Sequence, residues 1–556
     1  MRAPRAVAVR AASAPAEAPP LVDRLAGRRL GIGIPALVML LAAAGCVYLA
    51  LTPATDPDFG WHVANGRNLW SGILLGGHDV YSWTVHGATW VAHEWATDVA
   101  MAFLNDTFGP MAASLASAAV VLGALALTAL RLRRSGHGPL TIAVTVALVC
   151  RVAAVSIGVR PQMLELLYLS AWLLALDGWL AGRLARAPLT ALAGALMLLW
   201  ANTHGSFLLG PAATLALAGA LLLVRDRRAI MAAGLALFMV AVPVLNPWGP
   251  ALYGFATQSL SSSVTQRLVQ EWQAPNLLSL PFAAFTVELA LLAAGAALAA
   301  ARWVRRGVPA SKGVRAEPEG IEGTVCRGEP DETGRRAGSL WAMLLTLPVI
   351  VLALHSGRFV MLVGICAAPL LAWTVRAIGG SVSARAGRLH RRTPVGGDAQ
   401  RPGRERVNLA VGVVGALGLC VAGLAHVAPP AQEAAVAGTY PIALLPALDR
   451  AVASAGGREE ARLLNDYAWG GFLLEWRPGL PVFVDGRSEV YGDQFLAEAA
   501  TLYDVAPGWQ AELRAYRPRV ALLGTTSALA RALEEQGWRI TAGDRLAVVL
   551  VAPGTS

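Results

Sequence analysis

The chain has 556 residues, 55% of them hydrophobic, with a formal net charge of +10. Soluble domains hold about 45–50% apolar residues, so a mean hydropathy of +0.52 and repeated apolar runs of about 20 residues exclude an ordinary soluble enzyme. The basic balance would suit a nucleic-acid partner, but the positions of the charges exclude one.

In chain order, residues 1–29 read as a cytoplasmic tail carrying six arginines. The first apolar segment, 30–52, reads as a retained anchor. Ala43-Ala44-Gly45-Cys46 faintly resembles a lipoprotein cleavage site, yet the apolar run continues past Cys46. Ten further spans are predicted near 111–130, 139–158, 162–180, 188–202, 206–224, 229–245, 281–301, 340–354, 359–375 and 407–427. With the N-terminus inside, thirty Lys and Arg fall on inner segments. Only Arg67, Arg160, Arg267 and Arg358 fall on outer loops before residue 428. That positive-inside bias explains the basicity as topology. The charged, Gly/Pro-rich segments 303–339 and 376–406 read as disordered inner loops.

The first outer loop, 53–110, holds TDPDFGWHVANGRNLW and HEWATDVAMAFLNDTFG, both too short or too polar to span. HVANGRNLWSG and HEWATDVAMAFLNDTFG read as amphipathic helices lying in the membrane interface. From residue 428 short β-type runs (ARLLND, LPVFVDG, RVALLG, LAVVLVA) alternate with helical stretches such as SALARALEEQG. Residues 428–556 therefore read as a small extracytoplasmic α/β domain. The predicted fold is mainly α: a transmembrane domain over 30–427 of about eleven spans, with that domain on its outer face. The five cysteines form no metal or disulfide framework.

Reactive side chains gather on the predicted outer face. His62, His78, His86 and His93 sit in the first loop with Asp56, Asp58, Asp79, Glu94 and Asp98, and His204 sits at another outer turn. HEWAT at 93–97 fails as a zinc-peptidase helix, because Thr97 stands where the second histidine is needed. Asp56 and Asp58 offer a D-x-D pair of oxygen donors to Mg²⁺ or Mn²⁺. The turns GVRPQM, WANTHGSF, LNPWG, RLVQEWQAP and LHSGRF each place polar residues at the same face. Inside spans, Arg151, Glu165 and Glu288 are costly in lipid and mark a pathway or site. Four isolated arginines on an outer face otherwise free of positive charge suit a phosphate, which Arg binds bidentately. A phosphate-bearing lipid would reach them from the bilayer.

The motifs from Asp56 to His62, Gly87 to Trp95, Arg160 to Gln162, Asn202 to Gly205, Trp469 to Gly471 and Asp485 to Arg487 give the chain its resemblance. It resembles the GT-C superfamily of integral membrane glycosyltransferases, which includes protein O-mannosyltransferases, aminoarabinose transferases and oligosaccharyltransferases. The resemblance implies transfer of a sugar from a polyprenyl-phosphate carrier to a glycan, lipid or protein acceptor, on the outer side of a bacterial inner membrane. It implies Asp58 as general base, with Glu94 as a second carboxylate because Phe59 stands where O-mannosyltransferases carry Glu. It places His93 near the donor phosphate, and leaves metal use open between Mg²⁺, Mn²⁺ and none. Expected substrate-binding residues are Asp56, His62, Arg67, His93, Arg160, His204, Arg267 and Arg358. The expected partners are the sugar donor, the acceptor and the bilayer. The competing reading is a transporter or envelope sensor whose outer domain binds a ligand; broken helices at WANTHGSF would suit it.

Overall fold

The computed structural model describes residues 31–72, 77–254, 262–306, 332–390 and 402–555. Helices stand at every predicted span: α1 (Ile34–Ala50), then, past two helices of the first loop, α4 (Pro110–Arg134), α5 (Pro139–Ala153), α6 (Met163–Leu180), α7 (Arg186–Thr203), α8 (Leu209–Leu223), α9 (Arg228–Ala241), and, past a short one, α11 (Ala283–Arg306), α12 (Glu332–His355), α13 (Val360–His390) and α14 (Pro402–Val427). Eight helices among the described residues are long and apolar enough to cross a membrane, and the apolar α1 and α5 are shorter. The protein is a multi-pass helical membrane protein. Prolines open α1, α4 and α5, where a missing N–H costs nothing. Gly136 and Gly182 follow α4 and α6 at φ 78° and 69°, accepting the left-handed stop that a side chain resists.

The helices bury one large core, in which Trp172, Trp200 and Trp341 are fully enclosed. Their indoles donate to Thr214 Oγ1 (2.9 Å), Ser206 Oγ (3.1 Å) and the Ala213 carbonyl (3.0 Å), since an unsatisfied polar group in hydrocarbon is costly. The segments 303–339 and 376–406 need correcting in part. Helices run through Arg306, from Glu332, through His390 and from Pro402, because Ala- and Arg-rich sequence continues a helix without need of apolar neighbours. Residues 307–331 and 391–401 of those two segments lie outside the described residues.

The loop helices α2 (Phe59–Trp70) and α3 (Trp95–Phe108) exist, but α2 is enclosed by protein over its first two turns. All of Phe59–Gly66 is buried between the bundle and the C-terminal part of the chain. Small residues permit that approach. A Cβ on Gly60 would lie 2.3 Å from the Gly471 carbonyl oxygen, and one on Gly66 2.0 Å from that of Asp98.

Beyond α14 come α15 (Pro429–Thr439), α16 (Leu445–Ser454), β1 (Leu464–Asn465), α17 (Gly470–Trp476), α18 (Ser488–Tyr503), α19 (Trp509–Tyr516), β2 (Val520–Gly524), α20 (Ala528–Glu535), β3 (Arg539–Gly543) and β4 (Ala547–Val551). The sheet has the order β1-β2-β4-β3, with β1 parallel to β2 and the other pairs antiparallel. LPVFVDG, expected as a strand, pairs only through a bridge between Ser82 and Val482. The Asn465 side chain replaces a strand neighbour, accepting from Phe483 N and donating to the Val484 carbonyl, both at 2.8 Å.

Candidate active site

Asp58 begins α2, where its carboxylate does not cap the helix. It accepts instead from the Trp61 indole at 3.1 Å, while its own N–H donates to Asp56 Oδ1 at 3.1 Å. The DGR turn of the C-terminal part presses on it: a Cβ added to Gly486 would fall 1.7 Å from Asp58 Oδ1. Burial, then the like charge of Asp56, pushes the Asp58 carboxyl up to about 7. A carboxylate so poised changes protonation at neutral pH.

From Asp56 an ion chain runs across three turns. Asp56 Oδ2 faces Arg160 Nε at 3.3 Å. Arg160 Nη1 donates to Glu271 Oε2 at 2.7 Å, and Arg358 Nη1 donates to Glu271 Oε1 at 2.5 Å. The Arg358 guanidinium also lies 5.1 Å from the Trp272 ring centroid. Burial opposes the charge on Glu271, but Arg358 and Arg160 hold its carboxyl below the usual range. GVRPQM, RLVQEWQAP and LHSGRF, far apart in sequence, thus share one carboxylate.

A second cluster surrounds Glu94. Its carboxylate faces the Nε2 atoms of His93 (3.4 Å), His204 (3.4 Å) and His62 (3.8 Å). Behind these rings, His62 Nδ1 meets Asp98 Oδ1 at 2.6 Å, His204 Nδ1 meets Ser206 Oγ at 2.6 Å and Glu165 Oε2 at 3.7 Å, and His93 Nδ1 faces the Val91 carbonyl at 3.3 Å. All six ionisable groups are buried. Burial disfavours the charge on Glu94, yet His93, His204 and His62 together hold its carboxyl below the usual range. Burial, opposed by Glu94, lowers His204 to about 3. For His62 burial is outweighed by Asp98, Glu94 and Asp58, and its imidazole rises above the ordinary value. Neighbouring motifs brace the cluster: Trp95 Nε1 donates to Asn202 Oδ1 (2.8 Å), Thr97 Oγ1 to the Thr203 carbonyl (2.8 Å), and Trp248 Nε1 to the Ala92 carbonyl (3.1 Å).

Of the expected residues, Asp56, Asp58, His62, His93, Glu94, Arg160, His204 and Arg358 come together in these two linked clusters. Arg67 stands apart, forked onto Asp106 at 2.6 and 2.8 Å. Arg267 is exposed on the short α10 (Ser263–Leu268). Of the D-x-D pair, Asp56 faces the Arg160 guanidinium and Asp58 the Trp61 indole. Among the described residues no group of three or more His, Cys, Asp or Glu side chains is placed to hold a metal. Sequence reasoning passed over Glu271 as a site residue, although it stands in a quoted turn. It also left out Asp98, whose place four residues after Glu94 puts both on one helical face.

DGR has a structural part as well. Arg487 is fully buried, bonded to Asp485 at 2.9 and 2.6 Å and paired with Asp79 of the first loop at 2.9 Å. Its guanidinium lies 4.7 Å from the centroids of both Tyr81 and Trp90.

No family model matches the chain, and no curated protein matches it. Among solved structures it is similar to the apo form of the Archaeoglobus fulgidus oligosaccharyltransferase, at 11% identity and a TM-score of 0.45, over 88% of this chain and 69% of that one. It is likewise similar to apo ArnT from Cupriavidus metallidurans, at 16% identity and a TM-score of 0.47, over 93% of this chain and 97% of that one.

Proposed function

We propose that the protein is a membrane glycosyltransferase of the GT-C kind, moving a sugar from a polyprenyl-phosphate donor to a hydroxyl-bearing acceptor on the outer face of the membrane. The observation that carries this reading is the ion chain that runs from Asp56, bonded to Asp58 N, to Arg160 and through Glu271 to Arg358. A sugar phosphate already contains a good leaving group. The protein must then orient two substrates, accept a proton and neutralise the departing phosphate. In the proposed step the acceptor oxygen bonds to the anomeric carbon as its proton passes to Asp58. The bond from that carbon to the phosphate oxygen breaks, and the electron pair leaves on the lipid phosphate beside Arg160 and Arg358. The Glu94 cluster positions His62, whose backbone N–H donates to the Asp58 carbonyl.

Purified full-length protein in lipid nanodiscs, given a polyprenyl-phosphate hexose or pentose and a mixture of envelope glycans and lipids, should release polyprenyl phosphate. Release that is absent across donors, or unchanged in Asp58→Asn, removes the reading. A transporter reading gains nothing from the break at WANTHGSF, since α7 ends at Thr203 and the turn that follows packs into the Glu94 cluster.

A further inference from the structure

Glu271 lies on the turn Gln270–Trp272, and its two carboxylate oxygens are divided between two guanidiniums that come from different turns of the bundle. No other acidic side chain faces Arg358 within ion-pair distance among the described residues. Arg160 Nε, though beside Asp56, is buried without a hydrogen bond there. Guanidiniums take carboxylate and phosphate oxygens in the same way, so a phosphate can replace this carboxylate between them. The backbone under Glu271 is pinned: its carbonyl accepts from Ser356 Oγ at 3.2 Å, and the Gln273 carbonyl accepts from Gly357 N at 2.8 Å. The side chain, with three rotatable bonds, is the part free to leave.

We infer that Glu271 is an internal anion occupying the donor-phosphate position between Arg160 and Arg358, and that it sets how tightly the lipid phosphate is held. The inference rests on the lipid-phosphate reading of this site. Without a ligand, two half-buried guanidiniums facing each other would repel and splay, so the carboxylate keeps them at the right spacing. An incoming phosphate takes over both contacts, and Glu271 turns aside because a second anion there is repelled. Donor affinity is lowered by that competition, as in any site whose competent state is only partly populated. After transfer the same competition acts against the lipid phosphate product and speeds its release. Glu271 is therefore a positioning residue that acts through Arg160 and Arg358.

The test compares wild-type protein with Glu271→Gln, full length in nanodiscs at fixed ionic strength, by titration with farnesyl phosphate and, separately, with inorganic phosphate. Removing the competing charge should tighten farnesyl phosphate binding about tenfold. In turnover assays it should lower the donor KM and also lower kcat, because product leaves more slowly. Farnesyl phosphate tighter than inorganic phosphate in both proteins marks a lipid headgroup as the ligand; equal affinities mark a free phosphate site and overturn the lipid assignment. Glu271→Asp keeps the charge on a shorter arm and should stay close to wild type in affinity, which separates charge from packing. If wild type binds farnesyl phosphate and Glu271→Gln binds it equally or more weakly, Glu271 is an ordinary structural ion pair and the inference fails while the reading of the site stands. If neither protein binds it, both fall.

Discussion

In the proposed reaction Asp58 is the base because of what surrounds it. A general base works best with a pKa near the working pH, and burial beside Asp56 supplies that for a carboxyl ordinarily near 4. Asp58→Asn keeps the shape and removes the proton acceptor, so turnover should fall by about 10²–10⁴-fold with thermal stability and donor binding retained. The pH dependence has a definite sign. Asp58 must be ionised to accept a proton, and its ionised fraction falls as pH drops through about 7. The rate at subsaturating substrate should therefore decline about tenfold per unit on the acid side of pH 7, instead of holding down to pH 5. A flat profile between pH 5 and 8, from stopped assays of lipid phosphate release, would remove Asp58 as the base.

At the scale of elements, the turn after LPVFV is the contact that shapes the site. Gly486 leaves no room for a side chain against Asp58. Gly486→Ala should therefore push the carboxylate or the turn aside and cost activity by at least about tenfold. Its effect on melting temperature should be smaller than that of Arg487→Ala. Arg487 joins the DGR turn to the first loop through two buried carboxylates and two aromatic rings. Removing it leaves Asp79 and Asp485 buried without a counter-charge, a loss of about 3–5 kcal/mol in stability. Lysine should not rescue it, since an ammonium lacks the planar fork that holds Asp485 with two bonds. A scanning-calorimetry comparison of the two Arg487 variants with wild type checks this. A Lys variant as stable as wild type would mean that charge alone is needed.

Across the whole molecule, Asp58 and the three histidines lie at the end of the bundle where the C-terminal part packs. Gln432 of α15 ties the two together, accepting from Ala54 N at 2.9 Å and donating to Ser114 Oγ at 2.7 Å. Tyr440 adds bonds to the carbonyls of Thr55 and Asp56. In the proposed reaction the base comes from the first loop, so the part beyond residue 428 expressed alone should not catalyse transfer. The charge bias predicts residue 312 on the opposite side of the membrane from this site. A Lys312→Cys variant in intact cells should react with an impermeant maleimide only after permeabilisation. Labelling from outside would invert the topology and move the site to the cytoplasm.

The sequence by itself determined the helices and their order. Apolar length and proline or glycine boundaries are local properties, so each predicted span is matched by a helix, and the C-terminal runs RVALLG and LAVVLVA are strands. The side chains around Asp58 and Glu94 were legible only as a crowd of polar residues at shared turns. Which of them meet was decided by tertiary structure. Asp58 meets Gly486 across more than four hundred positions, and Arg160 meets Arg358 only through Glu271. Arg67 resembled the other isolated arginines in sequence, yet its helix face turns it to Asp106. LPVFVDG had the composition of a strand, but its bonds go to the first loop at Val482 and to the Asn465 side chain at Phe483 and Val484. Composition and periodicity depend on neighbours along the chain, whereas pairing of charges depends on which turns the packed helices bring together, and no local pattern records that.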